Sequence, residues 1–361
     1  MSIDFTPARW ERIKADSRRW WAGELQRPLI QFCLSCRDPG RAEPSLPAYG
    51  FAARYGPEVS AGQIVDRWEY DLEGVHFLGD AFPAKWVNFG AGVAAAFMGC
   101  RLNADENTVW FYPPQPEPEL ADIRLKYDPE NYWLKRIADV MRAAQARFDG
   151  RVQIGMTDIG GALDILASFR PSEKLLLDLV DDPERVQRLT WETHELWWRY
   201  YDYFDRILRL KNPGFTAWAS IFSLEPYYMF QCDFCYMLGP KMFETFVKPE
   251  LAACFRRIPH AFYHLDGPGE LPHLDSLLEI KELKGIQWIP GAGQPDCAHW
   301  PEVFRKIRKA GKLIQVFGDM QVLDAMADQL GSAEGICLIA QMQHTPARAK
   351  EVERFLVKYG A

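Results

Sequence analysis

A histidine and an aspartate stand two residues apart in the stretch AFYHLDGPGE, residues 261–270. If 261–265 is extended, His264 and Asp266 project from the same face, about 7 Å apart along the chain. An imidazole and a carboxylate at that spacing suit a shared metal ion, a proton or one substrate group. The other use is structural, with His264 hydrogen-bonded to Asp266 under a turn. Two C-x-x-C pairs, Cys33/Cys36 and Cys232/Cys235, would form a four-thiolate zinc site only by converging from distant parts of the chain. The alternative has Cys33 facing a core and Cys232 and Cys235 on a short helical turn.

The choice depends on where strands end. Short apolar, β-rich runs occur at 28–34, 75–78, 152–157, 215–222, 261–265, 285–289, 312–317 and 336–341. Continuous apolar character marks strands covered on both faces, and between successive runs lies a segment with helical period or caps. DPENYWLKRIADVMRAAQARF and DDPERVQRLTWETHELWWRYYDYF each open with Asp then Pro, an N-cap followed by a first-turn proline. This alternation predicts an α/β fold of the (β/α)8 TIM-barrel type. A doubly wound sheet would carry a Gly-rich phosphate turn, and neither G-x-G-x-x-G nor a P-loop is present. The expected organisation is one domain over 1–361, with an N-terminal helical extension (1–27) and a lid-like insertion (81–127).

Barrel chemistry sits at the C-terminal ends of the strands. That rule puts Cys36 and Arg37, Asp80, Asp158, Ser223 and Glu225, His264 and Asp266 at successive strand ends. Asp319 and then Gln341, Gln343 and His344 follow at the last two, with Gln287 inside the sixth strand. His76 is expected in a core, and His194 and His299 at the surface or in caps.

A net charge of −7 offers no basic stripe for nucleic acid. The N-terminal residues lack the apolar core of a signal peptide. The most apolar run, GAGVAAAFMGC (90–100), is about half the length needed to cross a bilayer. The expectation is a soluble, cytoplasmic protein with thiols rather than disulfides. The 13 tryptophans serve cores, interfaces and, in part, a ligand site.

DDPERVQRLTWETHEL, MLGPKMFETFVKPEL, YHLDG, LPHLDSLLEI and GIQWIPGAG together resemble the uroporphyrinogen decarboxylase superfamily, from about Pro28 to the end of the chain. The resemblance implies a barrel and two activities. In the corrinoid-linked methyltransferase branch, a zinc is held by a His-x-Cys pair and a cysteine near the last strand. Here His264 matches and Asp266 replaces the first cysteine. Glu225 or His344 would complete the metal set, with Cys337 upstream of the last-strand position. Carboxylate for thiolate makes the metal harder and favours an oxygen substrate. A corrinoid (cobalamin) protein and a small methyl donor or acceptor would be the partners, and a quaternary amine would suit the aromatic side chains. In the decarboxylase branch, FLGDAFPAKWVNFGAG aligns Asp80 with the aspartate that binds pyrrole nitrogens. Arg37 and Arg41 would then hold carboxylates, with His264 or His344 as acid or base. The combined catalytic set is Asp80, His264, Asp266 and His344; the substrate-binding set is Arg37, Trp218, Glu225, Gln287 and Trp288. A non-catalytic binding barrel is the third reading, and homodimers are expected from the superfamily.

Overall fold

Most of the apolar runs fold as strands, and the computed structural model describes residues 3–35 and 37–361. Cys36 lies outside the described residues. The strands are β1 (Leu29–Ser35), β2 (His76–Gly79), β3 (Ala84–Trp86), β4 (Arg101–Ala104), β5 (Val109–Tyr112) and β6 (Gln153–Gly155). They continue with β7 (Tyr227–Phe230), β8 (His260–Asp266), β9 (Leu283–Ile289), β10 (Leu313–Phe317) and β11 (Ile336–Gln343). Six make one parallel run in the order β1-β11-β10-β9-β8-β7, with β2 antiparallel outside β1. A parallel pair, β3–β6, and an antiparallel hairpin, β4–β5, stand apart from it.

The helices of eight residues or more are α1 (Pro7–Trp21), α2 (Ala61–Glu73), α3 (Tyr132–Phe148), α4 (Ala162–Phe169) and α5 (Ser172–Asp181). After them come α6 (Pro183–Leu208), α7 (Lys248–Arg257), α8 (Pro301–Lys309), α9 (Met320–Leu330) and α10 (Pro346–Tyr359). The protein is thus an α/β fold with a mostly parallel central sheet. Among the described residues that sheet does not close. Isolated bonds such as Met156 N to Thr216 O (2.9 Å) and Ile159 N to Tyr228 Oη (2.9 Å) cross from the β6 side to the β7 side instead of a ladder.

Two expected strands behave differently. Residues 215–222 fold back on themselves, closed by a single bridge between Phe215 and Ser223, and Thr216 Oγ1 donates to Ile221 O at 2.8 Å. With its backbone satisfied locally, this segment leaves the ladder to the wholly buried β7. Residues 75–78 do form β2, but in the antiparallel sense, so β2 ends beside Ile30 at the N-terminal edge of the sheet. The 81–127 segment, expected as a lid-like insertion, contains a hairpin, β4–β5, but begins with β3, a member of the parallel pair.

The N-terminal extension covers the edge where β1 and β8 begin. Thr6 caps α1 and Pro7 opens it. Ser17 Oγ and Trp21 Nε1 both donate to Phe222 O, at 2.6 and 2.9 Å, and the Trp21 ring stacks on His260 at 4.1 Å. Asp80 lies at this end. Its carboxylate accepts from Arg27 Nη1 (2.7 Å), Arg27 Nη2 (2.8 Å) and Ile30 N (2.8 Å), and Arg27 also reaches Asp16 at 2.9 Å. Asp80, expected among the catalytic residues, thus sits in a buried clamp at the end of the sheet where β1 begins. Breaking a buried pair by deleting one partner strands the other charge. Asp80→Ala should therefore lower the unfolding free energy by about 3 kcal/mol or more in urea titrations, while metal uptake by the surviving folded protein stays at the wild-type level.

Burial beside Trp21, reinforced by the Lys284 ammonium, pushes His260 down to about 4. The folded state therefore favours the neutral ring. The stability this contributes is complete above the unfolded value of about 6.5 and is lost as the pH falls from there through 4. Unfolding curves at pH 7, 5 and 4 should show the wild type losing stability more steeply than His260→Asn.

Candidate metal centre

The β7–β8 register brings the chemistry together. Tyr227 pairs with His260 and Phe230 with Tyr263, so the same offset carried past the end of β7 sets Asp233 level with Asp266. His264 and Asp266 share a face of β8, as their spacing predicted. Asp233, His264 and Asp266 each offer a ligand atom, and these atoms lie within 4.8 Å of one another. Ligands about 2.0–2.2 Å from one ion fit that spread. Sequence reasoning missed Asp233. The C-x-x-C run QCDFC drew attention to its cysteines, which are buried beside a short 3-10 turn (Asp233–Met237), while the aspartate between them faces the centre.

The His264 ring is held in one tautomer. Its Nδ1 donates to Gln287 Oε1, and Gln287 Nε2 in turn donates to Gln315 Oε1. These are directly paired residues across β8, β9 and β10. Nδ1–H being committed, the lone pair falls on Nε2, the arrangement found in metal-ligating histidines. Burial pushes His264 below the usual imidazole range, against the opposing pull of Gln287, Asp266 and Asp164. Trp218 packs its ring edge-on against His264 at 5.1 Å and donates Nε1 to Met229 O at 3.3 Å.

Carboxyl groups crowd this end of the sheet. Asp164, in the first turn of α4, accepts from the backbone N–H of Phe234 (2.7 Å) and Asp233 (3.2 Å), and so orients the loop that carries Asp233. Gly161 permits the contact: a Cβ there would stand 2.3 Å from Gln231 O. Burial, with the neighbouring Asp233 charge, pushes Asp164 up to about 7; burial and Asp266 push Asp233 up to about 6. Asp158 and Glu270 are raised well above the carboxylate range, chiefly by burial, and each has an oxygen without a hydrogen-bond partner. Such a cluster holds protons near neutrality or a cation. Beside it opens a cavity of about 550 Å³. Asp164 and Asp233 line one side, Phe51, Trp110, Phe111 and Phe234 another.

The other predicted residues lie elsewhere. Glu225 is exposed at the start of β7, where Ser223 Oγ contacts both Glu225 O and the His260 ring. It therefore lies at the far end of the strands from Asp266, and the structure does not bring it together with His264 and Asp266. Trp288 follows Gln287 and so faces the opposite side of β9, against Trp300 at 5.1 Å. Arg37 bonds the C-terminal end of α2, through Glu73 O (3.3 Å) and Gly74 O, and Arg41 Nε pairs with Glu73 at 2.6 Å. His344 follows β11 and packs on His76 at 4.8 Å, three strands along the sheet from β8 and outside the ligand group. Asp319 caps α9.

A second group, His194, Glu250 and Cys254, also has ligand atoms close enough to hold a metal. Contrary to the surface role expected of it, His194 is buried. Its Nδ1 meets Glu250 at 2.7 Å, its Nε2 accepts from Trp198 Nε1 at 3.1 Å, and Cys254 donates to Glu250 at 3.0 Å. Both imidazole nitrogens of His194 are engaged inside this network, whereas His264 leaves Nε2 for an ion.

No protein-family model matches the chain, and no curated protein sequence matches it significantly.

The hydrogen-bond chain generates a test that touches no ligand. Gln287→Ala should weaken divalent-metal affinity about 10- to 100-fold, read by competition with a chromophoric chelator. Asp266→Ala should remove tight binding altogether.

Proposed function

We propose that this chain is a metal-dependent transferase built on a barrel of the uroporphyrinogen decarboxylase type, moving a methyl group between a corrinoid protein and a small substrate. The observation that carries the reading is the convergence of Asp233, His264 and Asp266, with His264 Nε2 left free by the Gln287 bond. The barrel reading draws on six parallel strands in one sheet, β1 and β7 through β11, and a separate parallel pair, β3 and β6, interleaved with helices. Against the carboxy-lyase alternative weigh the Arg27 clamp on Asp80 and the engagement of Arg37 and Arg41 by the end of α2.

Asp233, His264 and Asp266 would hold the ion, with zinc the first candidate, and one nitrogen with two carboxylates suits a hard divalent metal. Such an ion would supply Lewis acidity toward a substrate oxygen or thiol. The chain's own groups do the rest. Gln287 fixes the His264 tautomer, Asp164 orients the Asp233 loop, and the aromatic wall of the adjoining cavity excludes water from a small substrate. Asp164, with its carboxyl near 7, takes or returns the proton of the group being methylated. Among the described residues no helix is long and apolar enough to cross a membrane.

The test is elemental analysis of protein purified without added metal, followed by demethylation of free methylcobalamin with a panel of small thiols and alcohols. About one divalent ion per chain, absent from His264→Ala and Asp233→Asn, is expected, together with methylcobalamin turnover that those variants lack. Protein that takes up no metal even after incubation with zinc would overturn the reading.

A further inference from the structure

The cavity of about 550 Å³ beside the metal centre carries charge of one sign only. Its lining holds two carboxylates, Asp164 and Asp233, and no lysine, arginine or histidine. The Asp164 carboxylate accepts from backbone N–H groups alone, and no ion pair among the described residues reaches either side chain. The basic residues that follow Asp164 are turned to other acids. Arg170 pairs with Asp178 at 2.7 Å and Glu119 at 2.9 Å, and Lys174 with Glu117 at 2.5 Å. Behind the cavity wall, the Asp158 carboxylate takes the Gly92 N–H and keeps Oδ1 buried without a partner. A divalent ion on Asp233, His264 and Asp266 would offset the charge of its own two carboxylates. Asp164 would be left over.

The rest of the lining is aromatic and small. Phe51, Trp110, Phe111 and Phe234 supply ring surface, and Trp110, on the β4–β5 hairpin, stays 58% exposed. Tryptophan is the side chain whose ring face attracts a cation most strongly. Gly92 leaves room in the wall, since a Cβ there would meet nothing within 4 Å. An anion entering this space meets like charge, and a neutral ligand leaves the Asp164 carboxylate without a counter-charge in a partly dry site. A cation with an apolar body satisfies both parts of the lining.

We propose that this cavity selects an organic cation, a small ammonium with apolar substituents, its charge facing Asp164 and its substituents against Trp110 and the phenylalanines. The inference rests on the transferase reading for the ligand's part in the reaction, as the small methyl donor or acceptor held beside the ion, and it names that ligand's class.

Choline and its neutral carbon isostere, 3,3-dimethylbutan-1-ol, are the probes, titrated calorimetrically into full-length wild type, Trp110→Leu and Asp164→Asn. Choline should bind wild type at a single saturable site, and the isostere at least about tenfold more weakly. Trp110→Leu should weaken choline about 5- to 30-fold. Asp164→Asn should bind the two probes alike. No saturable choline binding, equal affinity of the two probes for wild type, or unchanged choline affinity in Trp110→Leu would each overturn the proposal. Metal content of the same samples keeps the two readings apart. A missing choline preference in protein that carries its ion overturns this inference alone, and choline binding by protein that takes up no ion overturns the metal reading alone. Should Asp164→Asn not fold, the probe ratio in wild type and the choline affinity of Trp110→Leu decide.

Discussion

A carboxylate removed from water must hold hydrogen bonds, a proton or a cation, because its charge is otherwise too costly to bury. This chain meets that constraint in opposite ways at the two ends of its parallel strands. Where β1 and β8 begin, Asp80 is saturated by the Arg27 fork and the Ile30 N–H. Where β7 and β8 end, the carboxyls of Asp158, Asp164, Asp233 and Glu270 are all raised, and no lysine or arginine is among the groups that shift them. The first end is built for stability. The second keeps charge unsatisfied, which costs the folded state and reserves a place for a proton or a cation.

Precision at that second end comes from buried amides. His264, Gln287 and Gln315 are register neighbours on three adjacent strands, so one side chain cannot turn without breaking the next bond. A relay of this kind transmits order sideways through the sheet and leaves its last member short: Gln315 Nε2 is buried without a partner. Apolar residues at 287 and 315 would pack without that loss, but would leave the His264 ring free to choose either tautomer. The amides trade some stability for a defined imidazole.

Much of the frame was legible in the sequence. The runs behind β1, β6, β8, β9, β10 and β11 were long enough and apolar enough to stand out, and the shared face of His264 and Asp266 follows from period-two geometry alone. The same geometry argues against pairing Gln287 with Trp288 in one pocket, since adjacent residues face opposite sides. Strand direction was not legible. Four residues of β2 carry no signal of whether they run with β1 or against it, and that sense alone moves Asp80 from one end of the sheet to the other. Nor did composition distinguish 215–222 from β7, because both are apolar and only the Phe215–Ser223 closure shows which one turns back. That slip displaced the fourth strand end, and Glu225 was chosen where Asp233 stands.

The error and the structure share a cause. Metal-type ligands are read from sequence as short motifs, yet here only two of the three, His264 and Asp266, are sequence neighbours. Asp233 is brought to them by a register offset of 33 residues between β7 and β8. The partner that holds its loop, Asp164, comes from 69 residues further back. An interaction at that separation has to be specified by the strands and not by the motif. It forms only once β6, β7 and β8 are in place, so the centre depends on tertiary packing that the exposed Glu225 does not need. Local pattern therefore pointed to Glu225, and long-range pairing brings Asp233 to His264 and Asp266 instead.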